Sequence, residues 1–141
     1  MSVKNVSVKP AALALFTSMI EDVKKRIDLS AVILFGSYAK GTSNKFSDYD
    51  LVFIGDFKED YFERRDWVRA LAPFVSVDLF CYTPAEFEQM FTTYRLTAID
   101  AIGEGVVLYG EEFVAPFVKR HLEFVKRGMR KTNCVLIPPS E

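Results

Sequence analysis

Cysteine is nearly missing from this sequence, with Cys81 and Cys134 the only two in 141 residues. That excludes a disulfide framework or a zinc knuckle and fits a reducing interior, so the cytoplasm is the expected location. Histidine is scarcer still. His121 stands alone, between Phe117 and Phe124 on the apolar side of a predicted helix, and a packed structural imidazole is expected there. No charge of one sign is in excess: 18 basic residues face 19 acidic ones, a net −1, which gives no global signature of nucleic-acid binding. A membrane-length apolar run is lacking too, because "MSVKNVSVKPAALALF" is too short to span and shows no cleavage site. There is no internal repeat, low-complexity segment or linker.

What the chain does have is apolar mass. Half its residues are hydrophobic, with 13 Phe and 6 Tyr, which argues against disorder. A chain of this length forms one domain and buries roughly two-thirds of its unfolded surface.

Helix and strand signals alternate along it. Residues 10–28 carry Ala12, Phe16, Met19, Ile20, Val23 and Ile27 at helical spacing, with Lys24, Lys25 and Arg26 suited to the negative end of the dipole. "AVILF" is a wholly apolar, β-branched run that predicts a buried strand ending at Gly36. A polar loop follows, then "DYDLVFIG" as a second strand, a helix over 57–71 and "FVSVDLFCY" as a third strand. "TPAEFEQMF" opens a helix with a Thr cap, Pro at the first position and Glu three residues past the cap. A helical piece over 95–102, the strand "GVVLYG" and an amphipathic helix over 113–127 complete the pattern. In that last helix Phe113, Val114, Phe117, Val118, Phe124 and Val125 make one broad apolar side. Residues 128–141 are expected as a tail or docking strand. The alternation predicts an α/β domain with a mixed sheet of about four strands and helices packed mainly on one side.

The chemistry concentrates in "FGSYAKGTSNKFSDYDLVFIG". On a strand Asp48 and Asp50 share a face while Tyr49, Leu51 and Phe53 take the other. Two carboxylates that close repel, and one takes up a proton unless a cation sits between them. Magnesium suits such a place, since it takes one or two carboxylates plus waters and substrate phosphates. Asp78, central in "VSVDLFC", is flanked by Val77 and Leu79 on the opposite face. A helix between the second and third strands is long enough to bring Asp78 beside the pair. Three acids at a sheet edge can hold two metal ions that activate an attacking oxygen and steady a leaving one. Gly36 and Ser37 form a turn straight after a buried strand, with close backbone approach and a hydroxyl to offer a phosphate. Walker A order is absent, because Lys40 precedes Gly41. Each element alone is a commonplace turn, cap or strand-edge acid, and their order is what points to a site.

That order, "GS" after an apolar strand, ten residues, then "DYDL" and later "VDL", resembles the polymerase-β-type nucleotidyltransferase superfamily. The short chain is most similar to its minimal, antitoxin-type members, which are paired with HEPN-domain proteins. The motif resemblance covers residues 31–82 of what it makes a single nucleotidyltransferase domain, 1–141. It implies that Gly36 and Ser37, with Lys40 beyond them, hold the triphosphate of ATP or another nucleoside triphosphate. It implies that Asp48 and Asp50 bind two magnesium ions, and that Asp78 binds the one that activates the acceptor hydroxyl. Lys40 stands where related sequences carry Arg, and lysine lacks the bidentate fork for phosphate. The implied activity is nucleotidyl transfer with pyrophosphate release, expected to move AMP onto a hydroxyl of a HEPN-type partner. The alternative is a non-catalytic nucleotide-binding module that neutralises such a toxin by direct binding. Nucleic acid is not indicated as a partner, no membrane is, and self-association is left open.

Overall fold

A computed structural model describes residues 10–36, 49–74, 76–132 and 135–141. Its elements are α1 (Pro10–Lys24), β1 (Leu29–Phe35), β2 (Tyr49–Gly55), α2 (Tyr61–Ala70), β3 (Val77–Tyr82), α3 (Pro84–Thr92), α4 (Leu96–Glu104), β4 (Val106–Tyr109), α5 (Glu111–Lys126), β5 (Arg130–Lys131) and β6 (Leu136–Ile137). The expected alternation is present, with helix ends shifted by a few residues, as fraying and caps dictate. Most of the polar loop predicted after Gly36 lies outside the described residues.

The main sheet has the order β3-β2-β1-β4. β1 runs antiparallel to β2 and β4, whereas β2 and β3 are parallel, so the sheet is mixed. α2 is the crossover that makes the parallel pair possible. Side-chain alternation splits the core in two. Val32, Leu34, Leu51, Phe53, Val77 and Leu79 pack with Phe16, Met19 and Val23 of α1 and Val68 of α2. Ala31, Ile33, Val52 and Ile54 pack on the other face with Phe87 and Phe91 of α3, Ile99 of α4 and Phe117 of α5. Helices therefore cover both faces, two on one side and three on the other, where the sequence suggested mainly one. The run "AVILF" holds the reason, since a strand apolar at every position must be covered on both sides.

The helix over 83–92 forms as its cap predicts. Thr83 Oγ1 accepts from the Glu86 N–H at 3.2 Å, and Glu86 Oε1 accepts from the Thr83 N–H at 2.8 Å. The same Glu86 receives Arg64, which is 7% exposed and the one buried charged residue among those described. Arg64 donates to Glu86 Oε1 at 2.7 Å and Oε2 at 3.3 Å, to Glu59 O at 2.8 Å and to Cys81 O at 3.2 Å. One side chain thus ties α2, the end of β3 and the start of α3 together. Arg69 acts similarly at the other end of β3, donating to Val77 O at 2.6 Å.

The expected tail carries the β5–β6 hairpin. Met129 is buried beneath it, and Lys131 Nζ donates to Asp100 at 3.0 Å and Glu104 at 3.2 Å on α4. On α5, Val114, Phe117 and Phe124 are buried as expected, but Val118 and Val125 are exposed, because a full apolar side is wider than the face the sheet covers. Among the described residues no helix is long and apolar enough to cross a membrane.

Candidate functional site

Asp50 and Asp78 are register partners across the parallel β2–β3 pair. Adjacent strands lie about 4.8 Å apart, so these two carboxylates leave neighbouring backbones on one face. Alternation settles which face. Leu51, Val77 and Leu79 are buried on the α1–α2 side, while Val52, Ile54, Phe80 and Tyr82 pack on the α3–α5 side, which Asp50 and Asp78 share. The crossover through α2 thus sets Asp78 beside Asp50.

Gly36 completes the arrangement. It follows Phe35, the partner of Asp50 across β1–β2, and has φ +85°, a left-handed conformation that favours glycine. A Cβ built there would collide with Asp50 Oδ2 and lie 3.2 Å from Asp50 Cγ. Backbone and carboxylate therefore meet in a space that any side chain would fill. Gly36→Ala is expected to push Asp50 aside, with a stability cost of about 1–2 kcal/mol from the left-handed φ. A thermal melt checks this, and a wild-type midpoint would show that the close approach is immaterial.

Asp78 is exposed on the outermost strand and Asp50 is half-buried behind it. Ser37, Lys40 and Asp48, the remaining site residues expected from sequence, lie outside the described residues. Among the described residues no group of three His, Cys, Asp or Glu is gathered as a metal cage. Two acids in register are nevertheless a donor set that suits a hard divalent ion completing its shell with phosphate and water.

A second concavity lies farther along the same strand. A cleft of about 410 Å³ opens beside Tyr82 and is lined by Tyr61, Glu86, Gln89, Met90, Thr93 and Arg95. The Tyr61 and Tyr82 rings stack at 5.6 Å between centroids and 30° between planes. Burial, and then the neighbouring Tyr61, push the Tyr82 phenol up, so it stays neutral. Sequence reading missed this cleft, because its residues come from α2, β3, α3 and the turn before α4. Its one legible signal was an aromatic at the end of the strand that carries Asp78.

Other singled-out residues have structural places. Burial pushes the Cys81 thiol up to about 12, which makes it an unreactive core residue. Arg120 of α5 is held by Glu88 of α3 through contacts of 2.9 and 2.7 Å. Trp67 packs against the core with the Arg26 guanidinium 4.0 Å above its ring.

His121 is half-buried, with its ring against Gly103. Burial lowers its pKa, and Asp100 and Glu104 partly offset that. A depressed imidazole binds fewer protons folded than unfolded. Its contribution to stability is therefore full above the unfolded value of about 6.5 and is lost as pH falls through the folded pKa. Because His121 is the only histidine, one NMR resonance reports it. A midpoint below about 6.5 is expected, and one at or above it would contradict the burial.

Residues 17–111, two thirds of the chain, match the family of "Polymerase beta, Nucleotidyltransferase" domains. No curated relative matches. Among solved structures, a protein of Sulfolobus solfataricus assigned as a nucleotidyltransferase aligns at 22% identity and TM-score 0.52, over 71% of this chain and 81% of that one. A toxin–antitoxin complex with AMP-PNP aligns at 20% and 0.47, over 82% and 91%. A tri-AMPylated Shewanella oneidensis HEPN toxin in complex with MNT antitoxin aligns at 16% and 0.43, over 82% and 88%. The mixed sheet is the fold that the first of these shares, and the register of Asp50 on Asp78 falls inside the matched residues. The chain belongs to the polymerase-β nucleotidyltransferase family.

Proposed function

We propose that this protein is a magnesium-dependent nucleotidyltransferase that moves AMP from ATP onto a hydroxyl of a HEPN-type protein partner. The observation that carries the reading is the placement of Asp50 opposite Asp78, with the Gly36 backbone closed against Asp50. Asp50 and Asp78, joined by Asp48, would hold the metal. When bound, magnesium neutralises triphosphate charge and makes an acceptor hydroxyl easier to deprotonate.

The chain's own groups do the rest. Gly36, with no side chain, lets the phosphates approach the backbone, and Ser37 would add a hydroxyl donor. Lys40 adds a point charge to the same loop. Asp78 stands exposed on the outermost strand, where an acceptor can approach, and takes the hydroxyl proton. The acceptor oxygen then bonds to the α-phosphorus as the bond to the bridging oxygen breaks, and pyrophosphate leaves with that electron pair. The protein acceptor and the HEPN class of partner come from the likeness of this short chain to the antitoxin-type members of the family, not from the spacing of its motifs.

The test is label transfer from each α-³²P nucleoside triphosphate, with magnesium, into a lysate of the source cells. The Asp48→Asn/Asp50→Asn double variant runs beside it. Label from ATP on one discrete protein, lost in the variant, is the expected result. No label, with the chain folded and the partner present, would favour the alternative of a non-catalytic module that blocks its toxin by binding.

A further inference from the structure

The cleft beside Tyr82 has chemistry that the transfer site does not use. Tyr82 lies four residues past Asp78 on β3 and on the same face, about 13 Å away at the usual strand rise. A nucleoside monophosphate extended from the carboxylates spans such a distance. The Tyr61–Tyr82 pair gives the cleft an aromatic wall. The Gln89 carboxamide is exposed and makes no hydrogen bond with the described residues. Arg95 is exposed and enters no ion pair among them. Glu86, by contrast, is already engaged by Arg64 and the Thr83 N–H, so the uncommitted charge in the cleft is positive.

The backbone is strained at the same place. Tyr94 has φ +59°, the one non-glycine positive φ among the described residues. Such a conformation is strained and persists where surrounding contacts enforce it. Here the Tyr94 ring packs on Phe124 at 5.2 Å and the Arg95 N–H donates to Met90 O at 2.8 Å. The result of that tight turn is that Thr93 and Arg95 both face the cleft.

We infer that this cleft takes the base of the donor nucleotide and reads it as adenine. The ring lies against the Tyr61–Tyr82 wall, Gln89 meets its N6/N7 edge, and Arg95 stands on the ribose–phosphate side. A carboxamide presents a donor beside an acceptor, which matches the acceptor and donor of that adenine edge, whereas guanine presents two acceptors there. Stacking on tyrosine is tolerant of base identity, so Gln89 carries the choice. The inference rests on the nucleotidyltransferase reading and deepens it.

Equilibrium binding of ATP, GTP, CTP and UTP to the full chain in magnesium tests it. Wild type is expected to favour ATP. Gln89→Ala, at an exposed helix position, is expected to lower ATP affinity about tenfold and leave GTP nearly unchanged. Tyr82→Ala is expected to weaken all four, and Tyr82→Phe to bind as wild type, because the phenyl ring keeps the stacking surface. The inference is overturned if Gln89→Ala retains wild-type ATP affinity. It is equally overturned if that variant weakens all four nucleotides alike. Failure of the underlying reading looks different: wild type would then bind none of the four, or Asp50→Asn would transfer at the wild-type rate.

Discussion

Asp50→Asn is expected to keep the fold and to lose nucleotidyl transfer by at least about a thousandfold, roughly 4 kcal/mol of transition-state stabilisation. The amide has the shape of the carboxylate, so the β2 register with β1 and β3 is undisturbed and the Gly36 turn still fits against it. What it loses is the negative charge that a hard cation requires. A second readout separates this from a misfolded variant. Magnesium with ATP should raise the melting temperature of wild type, since a ligand that binds only the folded chain stabilises it, and should leave the variant unmoved. A variant that transfers at near the normal rate would remove the carboxylate pair from the mechanism.

Arg64→Ala is expected to cost about 3 kcal/mol of folding stability, without any direct effect on Asp50 or Asp78. The guanidinium is buried and supplies donors to Glu59 O, Cys81 O and Glu86. Removing it leaves two backbone carbonyls short of a partner and empties the space between α2 and α3. Glu86 is 45% exposed and is rehydrated, so most of the penalty belongs to the carbonyls and the lost packing. For a domain of this size that is a melting temperature lower by about 10 °C. Urea unfolding should show a lower midpoint at unchanged slope, whereas Glu86→Gln should lose about 1 kcal/mol at most. A melting temperature within two or three degrees of wild type, by the same conversion, would mean that Arg64 is a passenger rather than a tie.

The acids were legible in sequence because strand periodicity is strict. Once "DYDL" and "VDL" are strands, the faces of Asp50 and Asp78 follow, and a helix between them permits the parallel pairing that sets them opposite one another. The Gly36 turn was legible for a similar local reason, a glycine closing an apolar run. Arg64 was not, since an arginine on an amphipathic helix is normally at the surface, and only the convergence of Glu59, Cys81 and Glu86 makes burial tolerable. Tyr94 was not legible either, because a left-handed tyrosine is imposed by contacts such as that with Phe124, which no short window contains. The split of helices between two faces did have a signal in "AVILF", and the amphipathic helices, read one by one, did not reveal which face each would cover.

The arginines at β3 also bear on how this chain meets other chains. An outermost strand normally offers a row of free carbonyls and amides along which a foreign strand can anneal, the starting point of domain swapping and fibril growth. Here Arg69 occupies Val77 O near one end of β3 and Arg64 occupies Cys81 O near the other. With both positions taken, a newcomer cannot zip along that border without displacing a buried guanidinium. Any assembly reached from the side of β3 is thus confined to contacts between side chains, which can form and dissolve without reopening the sheet.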